Sequence, residues 1–514
     1  MPRLNRFEID IFNNILTAIA EEMGKLLTRS ALSANIKERR DHSCAIFNAG
    51  GEMIAQAAHI PVHLGSMSFS VAAVLDEKEF RDGDVFILND PFRGGTHLPD
   101  ITCVRAVFVG GKPGFYLAVR AHHADVGGKT PGSMPLSSSV EEEGVVIPPT
   151  LIARGGGIDR RLIDKITSGM RNRRERLGDL SAQIAALEAG GKRLAQTVEK
   201  YSAVGIGGAA DMLLDYGEAI MRDTIKRIPD GSYLFTDYLD DDGLGTENIP
   251  VRARVTIDGD AAEVDLSGSS PPVKGCLNAP FSVAVSAVLY VFQCLAPDDI
   301  PLNSGPLRAI RILADEPSIL NARYPSAVAG GNVETSQRIA DAVFGALREA
   351  IPERIQAAGA GTMNNLTFGG EGFVCYETIG GGMGARSGMD GVSAVQTHMT
   401  NTLNTPVEAL EREFPVRIES YSIRENSGGA GRFRGGSGIV RQYRFLEPAT
   451  VCLITDRRKH SPGGACGGGD GGRGRNLLIR DGEQTELAGK HSFEARRGDI
   501  LSIETPGGGG WGRP

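Results

Sequence analysis

Long hydrophobic runs are missing from this chain. Across its 514 residues no apolar stretch reaches the roughly 20 residues needed to cross a bilayer. The longest, Phe281 to Leu295, is broken by Ser282, Ser286 and Gln293 and reads as a buried helix. The N-terminus has no signal-peptide apolar region. Cysteine is scarce and odd in number, seven in all without C-x-x-C spacing, which excludes a disulfide framework and suits a reducing compartment. Cys44 and Cys103 sit inside apolar strand-like runs and read as small buried hydrophobes. The expectation is a cytoplasmic protein.

Concentrated positive charge is also lacking. A net charge of −8 over this length argues against nucleic-acid binding. The basic clusters Arg171 to Arg176 and Arg457-Arg458-Lys459 read as solvated faces. No G-x-x-x-x-G-K-[ST] loop exists. Gly128-Lys129-Thr130 comes nearest, but His123 stands where the first glycine belongs. No G-x-S-x-G elbow appears, and no G-x-G-x-x-G directly follows a good strand. Any nucleotide chemistry is therefore expected to involve another chain.

Glycine, by contrast, is abundant at 68 residues and concentrated late, at 380–382, 428–429, 463–474 and 507–510. It lacks a collagen period and alternates with strand-like segments, which predicts turns and close backbone approaches. A flexible linker is the other reading for the terminal glycines, although the chain's one tryptophan, Trp511, points to an anchored end.

The length predicts several domains. Apolar spacing (Phe7, Ile11, Ile15, Ile19, Met23, Leu26) predicts an opening amphipathic helix over 5–32. Short apolar runs then follow, with a hairpin at Asn48-Ala49-Gly50-Gly51, a strand at 84–88, and a pair across Gly110-Gly111-Lys112-Pro113. Residues 160–228 read as helical, with Leu180, Ile184, Leu187, Leu194 and Val198 on one face. Strands return over 231–265. Helices are predicted over 278–295 and 334–350, the second opening on a polar N-cap at Glu334-Thr335-Ser336. The whole is expected to be α+β: a metal-site region over 1–150, a helical region over 151–230, a central α+β region over 231–415 and a β-rich region over 416–514.

Six of the nine histidines fall between Glu38 and Asp125, in or between three polar patches at the ends of apolar runs. The patches are Glu38-Arg39-Arg40-Asp41-His42, Thr96-His97-Leu98-Pro99-Asp100 and His122-His123-Ala124-Asp125. Pro99 fixes one dihedral between two prospective ligands, which lowers the entropy lost on ordering them. His97, Asp100 and His122, completed by Asp41 or Glu38, would make a mixed nitrogen–oxygen shell suited to Mn²⁺, Fe²⁺ or Zn²⁺. His59 and His63, around Pro61, read as structural or pocket-lining. His123 and Asp125 read as outer groups that orient His122. The competing interpretation is that these histidines are hydrogen-bonded core groups.

The same stretches resemble the hydantoinase B / oxoprolinase family. The likeness continues through Asn89-Asp90-Pro91-Phe92-Arg93-Gly94-Gly95, Gly330-Gly331-Asn332-Val333-Glu334-Thr335-Ser336-Gln337-Arg338, Asn404-Thr405-Pro406-Val407-Glu408 and Arg424-Glu425-Asn426-Ser427-Gly428-Gly429 to the closing Pro506 to Gly512. The resemblance implies a B-type subunit of an ATP-dependent cyclic amidase acting on 5-oxoproline, a hydantoin or a related lactam. It implies a hetero-oligomer with a hydantoinase A-type partner, which binds ATP and phosphorylates the substrate. His97, Asp100 and His122 match the family's metal ligands, and the fourth, acidic ligand is Asp41 or Glu38. His123 or Asp125 would act as general base toward a metal-activated water. The family also implies an alternative, the alpha-type subunit of an ATP-dependent ketone carboxylase. A scaffold subunit with a structural metal is the non-enzyme alternative.

Overall fold

Helix α1 (Arg6–Ser30) opens the fold, as its spacing predicts. Its buried stripe runs through Leu16, Ile19, Ala20, Met23 and Leu27, whereas Phe7 and Ile11 of the expected stripe are exposed. Two apolar rows share this helix, and the row facing the first sheet and the long helix 173–201 is the one buried. The structure is a computed structural model that describes residues 6–57, 60–77 and 79–514. His59, expected to be structural or pocket-lining, lies outside the described residues.

After the short helix α2 (Ala34–Lys37) come β1 (His42–Asn48), β2 (Met53–Gln56), helix α3 (His63–Glu77), β3 (Val85–Leu88), β4 (Asp100–Val109), β5 (Lys112–His122), β6 (Thr150–Arg154) and β7 (Gly157–Ile158). They form one antiparallel sheet in the order β2-β1-β5-β4-β3-β6-β7. The hairpins at Asn48–Gly51 and Gly110–Pro113 join β1 to β2 and β4 to β5.

This sheet is buried on both faces, because alternate side chains along a strand point opposite ways. Cys44 and Ile46 pack toward α1 and the helices α5 (Arg173–Tyr201) and α6 (Ala203–Ile225), which follow α4 (Arg160–Thr167). Ala45 and Phe47 pack toward Met67, Val71 and Val74 of α3. The expected apolar face of α5, Leu180 to Val198, is buried. Burial pushes the Cys103 thiol up to about 12, in keeping with an inert core residue.

A second sheet, ordered β11-β10-β9-β8, is built from β8 (Gly231–Asp241), β9 (Glu247–Asp258), β10 (Ala261–Asp265) and β11 (Ile310–Leu313). β10 and β11 run parallel, and helix α7 (Phe281–Gln293) lies in the crossover between them. Helix α8 (Ser336–Ala350) packs on β8 and β9. Its expected polar N-cap is absent. Thr335 has helical backbone angles and makes no capping bond, because α8 continues from a π-helical turn over Gly331–Thr335. The Thr335 hydroxyl instead donates to Leu277 O at 2.6 Å, and Glu334 accepts from Asn365 Nδ2 at 2.7 Å.

The C-terminal part holds β12 (Asn365–Gly370), β13 (Phe373–Glu377), helix α9 (Val407–Glu413), β14 (Val416–Arg424), β15 (Gly438–Phe445), β16 (Ala449–Ile454), β17 (Arg475–Arg480), β18 (Glu483–Leu487), β19 (Lys490–Ala495) and β20 (Ile500–Glu504). They form two sheets, β13-β12-β16-β19 and β14-β15-β20-β17-β18, whose apolar faces share one core around Phe368, Val451, Tyr443 and Leu501. The first of these sheets draws strands from both sides of residue 416.

Between the sheets, glycine segments lie against one another with no room for side chains. A Cβ at Gly435 would stand 1.8 Å from Gly508 O. Trp511 is buried against Phe433, so the glycine-rich end is anchored. The fold is α+β, with helices and strands mixed over four sheets.

Two expectations about charge are corrected. Arg176 is fully buried beside Glu175 and Asp179. Arg457 is buried too, with its guanidinium 2.6 Å from Asp237 and 2.9 Å from Asp341, and Arg458 bonds Asn364 and Asn476. For Arg457 the counter-charges come from acidic residues more than 100 positions away in sequence, which no local pattern shows. Neither cluster is simply a solvated face.

Candidate functional site

The first sheet brings the three histidine–carboxylate patches to one point. Asp100 begins β4 and His122 ends β5, and the two are direct cross-strand partners. β1 lies on the other side of β5, and the carbonyl of Asp41, just before it, accepts the His122 amide at 3.0 Å. The His123 amide bonds Pro99 O at 2.8 Å. Sheet pairing therefore fixes Asp41, Asp100 and His122 together, and His97 joins them through the Pro99 turn.

A small cavity of about 20 Å³ lies here, enough for one water or ion. Asp41, Asp100, His122 and His63 line it, with Asn332 from the π-helical turn and Tyr376 from β13. Asp100 Oδ2 accepts from Thr96 Oγ1 at 2.8 Å and from His63 Nε2 at 3.2 Å, and Asn332 Nδ2 is 3.4 Å away. His97 Nδ1 stands 3.1 Å from the same oxygen as an ion-pair contact, and neither of its ring nitrogens has a geometric hydrogen-bond partner. Ser43 Oγ contacts His63 Nδ1 at 2.9 Å, so His63 is fixed at both ring nitrogens.

His122 is held from three sides. Asn35 Nδ2 contacts its Nδ1 at 3.0 Å, its ring stacks on Tyr376 at 4.6 Å between centroids, and the His97 ring lies 5.0 Å away. Arg39, fully buried, organises this wall. It bonds Asn35 Oδ1 and Tyr376 O and stands 3.8 Å from Asp41.

Electrostatics separate the two carboxylates. Burial pushes Asp41 up, against the pull of Arg39 and with help from Asp100. Burial would raise Asp100 as well, but His97 and His63 outweigh it and hold this carboxyl well below its usual range. His122 is pushed well below 6.5 by burial first and by His97 next, so the ring is neutral near pH 7, the form a metal-binding imidazole takes.

Buried polar atoms without a hydrogen-bond partner gather here: both ring nitrogens of His97, Asp100 Oδ1, His122 Nε2 and Asn332 Oδ1. Such atoms are costly to bury unpaired. Imidazole nitrogens and carboxylate oxygens are also the donor types a borderline divalent metal takes, so the donor set suits such an ion in its chemistry. Among the described residues, however, no three or more His, Cys, Asp or Glu side chains are grouped so that they could hold a metal ion.

Of the two acidic candidates, Asp41 lines the cavity. Glu38 caps α2 and sits outside, where it adds to the burial that pushes the Glu413 carboxyl up. His123 and Asp125 do not line the cavity. Next to His122 in an extended segment, the His123 ring takes another direction, and its Nε2 bonds Gln183 of α5 at 2.9 Å. Asp125 is saturated by the amides of Gly127, Gly132 and Arg171 and by the Arg171 guanidinium. It organises the loop after β5. Asn332, Tyr376 and Asn35 were not foreseen from the sequence. They come from distant segments, and the π-helical turn that presents Asn332 has no sequence signature.

A buried polar cavity at the strand ends of a helix-covered sheet marks an α+β protein with a site the size of a water or an ion. The chain belongs to the Hydantoinase B/oxoprolinase family, whose pattern matches residues 5–514. It is 40% identical to 5-oxoprolinase 1 of Arabidopsis thaliana over 98% of this chain, but spans only 42% of that relative's length. It is 30% identical to the B-type subunit of a putative D-/L-hydantoinase from a Pseudomonas strain, across 100% of this chain and 91% of the relative. The crystal structure of an ATP-dependent caprolactamase from Pseudomonas jessenii superposes with a TM-score of 0.92 at 28% identity, over 99% of this chain and 92% of the other. An acetone carboxylase shares the fold at 18% identity (TM-score 0.89), over 98% of this chain and 75% of the other. Among the described residues no helix is long and apolar enough to cross a membrane.

Proposed function

We propose that the chain is the B-type subunit of an ATP-dependent cyclic amidase that opens 5-oxoproline, a hydantoin or a related lactam. It would act with a hydantoinase A-type partner that phosphorylates the substrate. The observation that carries this reading is the gathering of His122 Nε2, Asp100 Oδ1 and Asn332 Oδ1, all without a hydrogen-bond partner, at one cavity. His97 does not line it, but its ring lies 5.0 Å from that of His122. The names of the hydantoinase relative and of the caprolactamase support the reaction class and the partner.

Asp41, His97, Asp100 and His122 would hold a divalent ion, Mn²⁺, Zn²⁺ or Fe²⁺. Such an ion lowers the pKa of bound water and polarises a developing oxyanion. The chain's own side chains do the rest. His63 and Thr96 fix Asp100 Oδ2, and Asn35 fixes the His122 ring, as partners on metal-binding side chains do. Asn332 presents its amide at the cavity wall, with Nδ2 toward Asp100 Oδ2 and Oδ1 without a hydrogen-bond partner. Ile60, Val62, Met363 and Met399 make the apolar part of the walls, and a low-dielectric lining strengthens the polar contacts beside it. His123 and Asp125, the general-base candidates, stand outside the cavity lining, His123 with Nε2 on Gln183 and Nδ1 without a hydrogen-bond partner, and Asp125 on the Gly132 amide.

The test is to co-purify the chain with its A-type partner and assay ATP-dependent turnover of 5-oxoproline, hydantoins and simple ketones, with and without chelator. Chelator-sensitive ring opening is the expected result. Carboxylation of a ketone would move the chain to the carboxylase branch, and absence of metal-dependent turnover would remove both enzyme readings.

A further inference from the structure

Outside the wall of the buried cavity lies an open cleft of about 600 Å³. Ile60 lines both spaces. Arg40, on the cleft, is next in the chain to Asp41, on the cavity, so a single layer of residues separates them. The charge of this cleft is one-sided: Lys25, Arg29, Arg39 and Arg40 line it, against the single carboxylate of Glu21. Glu21 pairs with Lys25 at 3.2 Å, and both are largely exposed. Arg39 is turned into the wall. Arg29 and Arg40 are exposed at the cleft.

Arg40 also has a left-handed backbone, with φ of 56°. A long non-glycine side chain rarely adopts that conformation, and strained residues concentrate at functional positions. In this chain of net charge −8 such a local excess of cations stands out.

We infer that this cleft is a vestibule for the phosphate group of a small phosphorylated substrate, held by Arg29 and Arg40 on the outer side of Ile60. Guanidinium groups recognise phosphate oxygens through paired, charge-assisted hydrogen bonds. The carboxylates Asp41 and Asp100 alone would repel an anion, so a cationic antechamber offsets that barrier. This inference rests on the proposed function, since it takes as ligand the species a phosphorylating partner would deliver.

The test is calorimetric titration of the full chain with methyl phosphate and with inorganic phosphate at low and high salt. It compares wild type with an Arg29→Gln/Arg40→Asn double variant; asparagine tolerates the left-handed backbone. Circular dichroism and Tm check that the variant folds. The expected result is salt-sensitive binding of methyl phosphate, tighter than that of inorganic phosphate and weakened about tenfold or more in the variant. This result supports the vestibule even if the complex turns over no lactam, in which case the proposed function fails alone. Absent or unchanged binding, or tighter binding of inorganic phosphate, overturns it. A variant that loses its partner but keeps phosphate binding overturns it as well and gives the cleft to the partner protein.

Discussion

Asp100 and His122 face each other as direct cross-strand partners at the open end of the β4–β5 pair. Two side chains separated by 22 positions are thereby held by main-chain pairing, the most rigid positioning a sheet provides. The same pairing network reaches Asp41 through the His122 amide. The candidate site is in this sense a property of the sheet register, because a one-residue slip would send one of its side chains to the opposite face.

The groups that hold Asp100 and His122 carry a prediction of their own. Asn35→Ala and His63→Ala should each weaken binding of Mn²⁺ or Zn²⁺ by about 10–100-fold. Titration of the chelated chain with either ion measures this. Unchanged affinity in both variants would show that the contacts of Asn35 and His63 are merely structural.

Asp125→Ala should behave in the opposite way. It strips a buried carboxylate from the Gly127, Gly132 and Arg171 donors and should cost about 3 kcal/mol or more of stability. Thermal unfolding would show the loss, while metal content per folded molecule stays at the wild-type level. Loss of metal in the folded variant would bring Asp125 back to the site.

Glu143 makes a pH prediction. Burial raises its carboxyl to about 8, although Ser137 and the Val328 and Ala329 amides bond its Oε1. The folded state therefore binds a proton that the unfolded state has released, so stability is highest below the unfolded value near 4.5 and falls as pH rises toward about 8. Glu143→Gln keeps the accepting oxygen and removes the titration. Its Tm should exceed that of wild type at about pH 9 and match it near pH 5. An identical pH profile for the two proteins would refute this.

Gly435→Ala should break the packing of the C-terminal glycine segments, because its Cβ would meet Gly508 O, a main-chain atom, at 1.8 Å. A loss of about 4 kcal/mol or more is expected, and denaturant unfolding would read it. Gly110→Ala is the control. Nothing lies within 4 Å of its Cβ, and its φ of 59° accounts for any small cost.

Much of this architecture was legible in the sequence where the signal is local. Strands β1, β4 and β5 announce themselves by short apolar runs between turn residues, so the patches at their ends were visible as strand ends. His97, Asp100 and His122 could be named for that reason, and the family resemblance pointed to the same three. What was hidden comes from long-range pairing. Arg457 looks like a solvated cation until Asp237 and Asp341 arrive from other elements. Asn332 reaches the cavity on a π-helical turn where local polarity suggested an ordinary N-cap. The opening helix carries two apolar rows, and only the packed sheet and α5 decide which is buried. Neighbours along the chain also mislead near a strand end: His123 follows His122 but turns toward α5, where Gln183 holds it.

The central claim, that Asp41, His97, Asp100 and His122 form a divalent-metal site, is tested most directly by metal analysis. Elemental analysis would compare the purified wild-type chain with folded His97→Ala and His122→Ala variants. The account predicts about one Mn, Zn or Fe per wild-type chain and a loss of most of it in each variant. Full metal content in both variants would contradict it.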